Sequence, residues 1–489
     1  MPKRKPTVDE WIRDYKELNY QSGKLFCRAC VKMIQCEKKY NIIQHLKTTL
    51  HKECLKKFTN KSKQSTIGES LASTGQNEQR EFYFDLCKAM VQSNIPLNKL
   101  KNTNFKTFLE KYCKLHIPEE STLRKNYVSL VYNETIHEIK ELIGSNYIWF
   151  TVDETTDVCG RYIANLIIGV LNEDVPTTGY LICSKELDAT NNNTVSRFIN
   201  EALINFYLPE SVPSDKILLM LSDAAAYMVK TASNLKVFYG NLIHCTCLAH
   251  GLNRVAETIR QQFPLVNELI KNGKKVFIKA PLRVQLFKEQ LPNTPLPPEP
   301  VLTRWGTWLD AALYYADNFE NFKKIIFELP EAASKSIKDC QVVLIEKELK
   351  NNLAFIKSNL SFVSKTIKLL EKQQMLLVSS IKTINNFEDA IDNIPGPTGQ
   401  ILKNKLKDVL SKNEGFQKLK TIAMVLEGSI VSDLKMHPAL MAKFKHAPIT
   451  SVDVERSFSA YKNILSDRRQ SFTTENLNQH LVIASFYRN

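Results

Sequence analysis

The chain has 489 residues, 43% of them apolar and 24% charged, which is ordinary for soluble globular protein and leaves room for two to four domains. Its strongest apolar run, YIANLIIGVL at 162–171, is too short to cross a bilayer and contains Asn165, so no membrane partner is expected. The net charge of +15 is unevenly placed: residues 1–64 carry 16 Lys/Arg against 6 Asp/Glu, a bias that points to a polyanion, most simply nucleic acid, over the plainer reading of a solvated basic tail.

The N-terminal residues lack the apolar segment of a secretory signal, and Pro2-Lys3-Arg4-Lys5-Pro6 reads as a nuclear import signal, so a nuclear location is expected. Eleven cysteines, an odd number, argue for reduced thiols and metal ligands rather than disulfides. In KLFCRACVKMIQCEKKYNIIQHLKTTLHKEC (24–54), Cys27 and Cys30 stand two residues apart, fourteen residues precede His45, and five more precede His51. Two thiolates on a tight knuckle and two imidazoles on one helix make a tetrahedral zinc site, with Ile42, Ile43 and Leu46 packed beneath. Cys36 and Cys54 are out of register. Lys24, Arg28, Lys32, Lys38, Lys39, Lys47 and Lys52 suit contact with DNA phosphates. With Trp11 and Tyr15 upstream, this segment resembles a BED-type zinc finger. Residues 23–52, 84–100 and 108–128 are similar to the CGG-triplet-repeat-binding proteins, a resemblance that implies double-stranded DNA as partner.

The expected domains are the finger (1–60), a linker (61–80) almost devoid of apolar residues, and a helical DNA-binding or dimerisation segment (81–144). In that segment Phe105, Phe108, Leu109 and Tyr112 fall on one helical face, and Ile136, Ile139 and Leu142 on another; a core reading serves equally well. Strands follow at YIWFTVD (147–153), 162–172 and 178–187, then a helix at about 194–207 and a strand in KILLMLSDAAA (216–226). Three strands, a helix and a strand are the order of a ribonuclease-H-like core, expected over 145–255, in which the first strand pairs with the fourth. Asp153 would end the first and Asp223 the fourth, where two carboxylates could share a pair of metal ions. The plainer readings are a turn cap for Asp153 and a helix N-cap for Asp223.

GNLIHCTCLAHGLNRV (240–255) offers His244, Cys245, Cys247 and His250, but no second knuckle, so buried structural roles outweigh a second zinc site. An all-α insertion is expected at 256–440, interrupted by PNTPLPPEPV (292–301) and PGPTG (395–399). In LTRWGTW, Trp305 is either core or a stacking platform for an unpaired base. The closing segment (441–489) carries Glu455 one turn into a helix striped by Val454, Phe458, Tyr461 and Leu465; an exposed helical Glu is its plain reading.

Cys247-x-x-His250, Arg304-Trp305 and Val454-Glu455-Arg456-Ser457-Phe458-Ser459, followed by Lys462 and Arg468-Arg469, resemble in order and spacing the motifs of hAT-superfamily transposases. That resemblance implies a multidomain α/β protein, its ribonuclease-H-like core interrupted by an all-α insertion and preceded by the finger and helical segment. It implies a catalytic triad of Asp153, Asp223 and Glu455 holding Mg²⁺ or Mn²⁺, with zinc in the finger, Arg304 and Trp305 on DNA, and a homodimer or higher oligomer through the C-terminal region. The chain departs in having Thr155 where the family often has Trp two residues after the first Asp, and in being short for the family. The rival is a domesticated DNA-binding regulator that keeps the fold without turnover. A protein working only through its C-terminal dimerisation region is third.

Overall fold

The computed structural model describes residues 8–12, 15, 17–21, 24–27, 29–30, 32–34, 36, 38–49, 51–52, 54–55, 74–301, 305–430, 436–465, 469 and 472–487. Most of the expected linker and Arg304 lie outside them. The chain forms two compact units, one of residues 1–171, 177–244 and 453–489, the other of 172–176 and 245–452. The breaks therefore fall at 244/245 and 452/453, about a dozen residues from the expected ends of the insertion at 256 and 440.

The first unit opens with a three-stranded antiparallel sheet, β1 (Leu18–Gln21), β2 (Lys24–Cys27) and β3 (Lys32–Ile34), followed by a helix over Lys39–Lys47. Ile12, Leu18, Leu25 and Ile42 form its small core with Cys27 and Cys30, and Leu46 packs against them. So few apolar groups cannot stabilise a fold of this size unaided.

A helix spans Thr74–Gln92, so residues 74–80 are helical where a linker was expected. Its Cys87, Met90 and Val91 share a core with Leu97, Leu100, Leu123, Val128, Val131 and the distant Ile483. The expected aromatic face on Thr103–Cys113 is not core: Phe105, Phe108 and Tyr112 are exposed. On Val128–Ile143, Ile139 is buried and Leu142 exposed.

Five strands build the second sheet, β4 (Tyr147–Thr156), β5 (Tyr162–Leu171), β6 (Gly179–Leu187), β7 (Ile217–Ser222) and β8 (Ile243–Thr246), in the order β6-β5-β4-β7-β8. The fold is mixed α/β, and the first long strand pairs parallel with the fourth, β4 with β7. β7 is buried along its whole length, as its unbroken apolar run requires of a strand covered on both faces. β4 runs three residues past Asp153, because it stays paired with β5 as far as Thr156 opposite Tyr162. On its other edge the pairing with β7 stops at Thr151 opposite Leu221, so Asp153 lies beyond the last parallel pair and Asp223 just beyond β7. Trp149 lies across the sheet over Gly169, where a Cβ would come within 2.5 Å of the indole, and its Nε1 donates to Thr177 Oγ1 at 2.6 Å.

In the second unit the described residues from 248 to 426 are helices and their connections, from Leu248–Gln262 to Glu414–Leu426. Prolines open Pro264–Gly273 and Pro281–Gln290, where a missing N–H costs nothing. Asn413 holds the Thr246 backbone at both groups, accepting from its N–H at 3.1 Å and donating to its carbonyl at 2.7 Å.

Candidate metal centres and nucleic-acid interface

The end of β2 supplies Cys27, the turn after it Cys30, the helix Lys39–Lys47 His45, and the residues beyond that helix His51. Their ligand atoms all lie within 4.8 Å of one another. His51 Nδ1 is 3.3 Å from Cys30 Sγ and 3.5 Å from Cys27 Sγ. Tetrahedral zinc with ordinary Zn–S and Zn–N bonds separates sulfur from nitrogen by about 3.6 Å, so the spacing fits. Burial pushes both thiols up and the His51 imidazole down, which favours neutral forms. Two buried thiols become thiolates only against a compensating cation, and a neutral imidazole is the form that ligates. On the far side of the ring Nε2 lies 3.7 Å from the carboxylate of the buried Glu17. Sequence reading missed Glu17; the signal lay only in three dimensions, since it precedes the knuckle by ten residues. Lys38, Lys39, Lys47 and Lys52 are exposed around this centre, and Arg28 lies outside the described residues.

Asp153 and Glu455 meet beyond the last β4–β7 pair, with Asp223 nearby just past β7. Glu455 sits in the helix Val452–Ile464, whose Val454, Phe458 and Tyr461 are buried together with Leu465 just beyond. Two polar ties fix that helix: Asn165 Nδ2 donates to Ser457 Oγ at 2.7 Å, and Tyr461 Oη donates to Asp157 Oδ2 at 3.0 Å. Asp157 is also held by Arg161, which keeps its carboxyl below the usual range against the opposing effect of burial; its role is structural. The helix thereby brings a Glu455 oxygen within 4.8 Å of an Asp153 oxygen. Burial, then the neighbouring Glu455, Glu154 and Asp223, push the Asp153 carboxyl well above its ordinary value. Like charges gathered where water is scarce bind protons, or a metal, to relieve repulsion. Asp223 Oδ1 accepts from Ala225 N–H at 3.1 Å, so it also caps the turn into the helix Ala226–Leu235.

Glu154 was not foreseen. Strict alternation along β4 sends it to the face opposite Asp153, yet burial and Asp223 push its carboxyl up to about 7, and the Tyr227 hydroxyl donates to it. His244, on β8, is pushed down to about 4 by burial. Ser222 Oγ lies 2.8 Å from the Asp223 carbonyl, to which it donates, and shares a hydrogen bond of 2.9 Å with His244 Nε2.

In the second unit, Cys247 and His250 open the helix Leu248–Gln262. Burial would raise the Cys247 thiol, but His250 and Ser451, whose N–H donates to Sγ at 3.2 Å, bring it below its ordinary value. The Trp305 ring packs on Cys247, Ala249 and Val452 and meets the His250 ring edge-on at 4.6 Å, remaining half-buried. Its neighbour Trp308 is buried and donates from Nε1 to Asn267 Oδ1 at 3.2 Å.

Two family models match the chain: the CGGBP1 helical domain over residues 73–130, and the domain of unknown function DUF659, a hAT-like family domain, over 118–276. The human CGG triplet repeat-binding protein 1 is 32% identical over 119 residues, which are 23% of this chain and 71% of that protein. Its mouse counterpart is 31% identical over the same shares. The chain belongs to the CGG triplet repeat-binding protein family. The first family model covers the helices from Thr74 through the start of Val128–Ile143. The second covers all five strands of the larger sheet and both Asp153 and Asp223, and ends far short of Glu455. This member thus joins the family's helical segment to a hAT-like domain; the similarity suggests DNA binding and a transposase-related family.

Proposed function

We propose that the chain is a nuclear DNA-binding protein of the hAT transposase type, with a ribonuclease-H-like core that cleaves and joins DNA strands. The observation that supports this reading is the approach of Glu455, from a helix some 230 residues beyond Asp223, to within 4.8 Å of Asp153 on β4, with Asp223 just past the end of β7 near enough to help raise the Asp153 carboxyl. Zinc held by Cys27, Cys30, His45 and His51 shapes the finger, whose exposed lysines Lys38 and Lys39 bind DNA phosphates, together with Arg28. Asp153, Asp223 and Glu455 would hold two divalent ions, Mg²⁺ or Mn²⁺, which when bound supply activation of a nucleophilic oxygen and neutralisation of charge at the scissile phosphate. Tyr227 orients Glu154 beside that group, and the Ser457 and Tyr461 bonds set the direction of Glu455. Arg304 and Trp305 are proposed to receive a base displaced from the duplex, with Cys247 and His250 bracing the indole. Self-association through the C-terminal region belongs to the same proposal.

A second reading has its own support: the family relatives are named for triplet-repeat binding, and on that reading this chain is a catalytically silent regulator of DNA. One experiment separates the two. Wild type and Glu455→Gln are incubated with Mg²⁺ and labelled duplexes, including a CGG repeat and the ends flanking the gene. Nicking by wild type alone, with equal binding by both proteins, establishes the transposase reading; equal binding without nicking by either establishes the regulator.

A further inference from the structure

A second cluster of charge lies within the first unit, on elements that neither the finger nor the carboxylate group uses. A cavity of about 180 Å³, ample for a phosphate group, is lined by Asn98, Arg124, Arg469, Phe472, Asn476 and His480. Three features make it a built site rather than a surface dimple. First, its positive charge is under-compensated. Arg469 Nη1 donates to Asn94 Oδ1 at 2.8 Å and the guanidinium lies 5.4 Å from the Phe472 ring centre, yet among the described residues it has no carboxylate partner. Glu120 pairs with Arg124 but is shared with Lys101 at 3.0 Å, and Lys99 and Lys125 stand exposed on the same two segments. Burial lowers the Arg469 pKa, the mark of a guanidinium removed from water without a counter-charge. Second, His480 is only 7% exposed and lines the cavity; burial, then Arg469 and Arg124, push it down to about 4, so the local field is positive. Third, the backbone contributes on both walls. Arg124 stands in a π-helical turn, Leu123–Tyr127, an irregularity that recurs at functional sites. Asn476 lies in the first turn of the helix Thr474–Phe486, whose dipole favours an anion, although its own N–H is capped by Thr473 Oγ1 at 3.2 Å and Glu475 shares that turn.

We infer that this cavity binds a backbone phosphate of DNA, gripped between Arg124 and Arg469. Planar guanidinium groups offer paired donors to a phosphate, and a polyanion matches the lysine rim. The site is thus a DNA contact on the helical segment and C-terminal helix, additional to the finger. It does not depend on strand cleavage, and would serve the regulator as well as the transposase.

The test uses the full chain and a duplex oligonucleotide, titrated across a range of NaCl concentrations. Arg469→Gln is expected to weaken binding about three- to tenfold and to lower the slope of log affinity against log salt by about 1, the effect of losing one phosphate contact. Asn98→Asp adds a negative charge at an exposed rim position, where folding is not at stake, and is expected to weaken binding comparably while the melting temperature holds. Unchanged affinity and slope in Asn98→Asp, or in a folded Arg469→Gln, would overturn the inference. Inorganic phosphate at constant ionic strength provides the second arm: it is expected to raise the melting temperature of wild type but not of Arg469→Gln. Stabilisation by inorganic phosphate with DNA binding untouched by either variant would assign the cavity to a free anion and defeat the DNA assignment.

Discussion

His51 stands between the finger's thiols and Glu17, its Nδ1 turned to Cys27 and Cys30 and its Nε2 3.7 Å from the Glu17 carboxylate. A carboxylate behind a ligating imidazole fixes the ring and raises its basicity, and losing it typically costs 10- to 100-fold in metal affinity. Glu17→Gln is accordingly expected to keep zinc but to yield it to a chelator at about tenfold or more lower concentration. Cys27→Ser should release the metal and unfold residues 24–54 while 145–489 remain folded. Metal analysis of both purified variants checks this; stoichiometric zinc in Cys27→Ser would refute the assignment.

Asp153→Asn removes one ionisable carboxyl from a group whose members repel one another. Without added metal its melting temperature should equal or exceed that of wild type. Mg²⁺ or Mn²⁺ should then stabilise wild type more than the variant, because a ligand bound only by the native state shifts unfolding by mass action. Melting curves with and without metal measure both effects. Equal stabilisation of the two proteins by metal would contradict a shared site.

Trp305 and Trp308 form an internal comparison. Trp308 is buried and hydrogen-bonded, so Trp308→Ala should cost about 3–5 kcal/mol. Trp305, half-buried on His250, should cost less on truncation yet impair strand cleavage, with partial rescue by an unpaired base at the cut site. A destabilisation as large as that of Trp308→Ala, with no rescue, would make Trp305 plain core.

His244 gives a pH dependence of known sign. Its folded pKa, about 4, lies below the ordinary value of 6.5, so the unfolded chain binds the proton more tightly. Its contribution is present above about pH 6.5 and lost as the pH falls from there toward 4, up to about 3 kcal/mol at one pKa unit per 1.4 kcal/mol. His244→Gln, which keeps a side chain able to hydrogen-bond Ser222, should flatten that acid limb in denaturant titrations. An unaltered limb would place the loss on other groups.

Much of this was legible from residue order. The Cys27–Cys30–His45–His51 spacing foretold a cluster that the fold does assemble, and the strand order foretold the pairing of β4 with β7. The apolar stripe of the last motif lies buried as its 3.6-residue spacing required. What escaped was set by tertiary contact. Glu154 gains its role from Tyr227, which alternation along β4 does not reveal, and Glu17 and Arg469 gain meaning only from partners far along the chain. Phe105, Phe108 and Tyr112 have core-like spacing, yet nothing in a periodicity states whether a neighbour will cover it.

The bonds that position the last helices join residues very far apart: Asn165 to Ser457 across 292 positions, Ser184 N–H to Asn478 across 294, and Tyr461 to Asp157 across 304. A chain emerging from the ribosome makes the finger and the larger sheet's strands long before it makes Glu455. The sheet must wait through the synthesis of more than two hundred intervening residues for the helices that complete it, and such non-local closure is slow. On the proposed function, a message cut short within the insertion would yield a product that keeps the finger but lacks Glu455, expected to compete with the full-length protein for DNA.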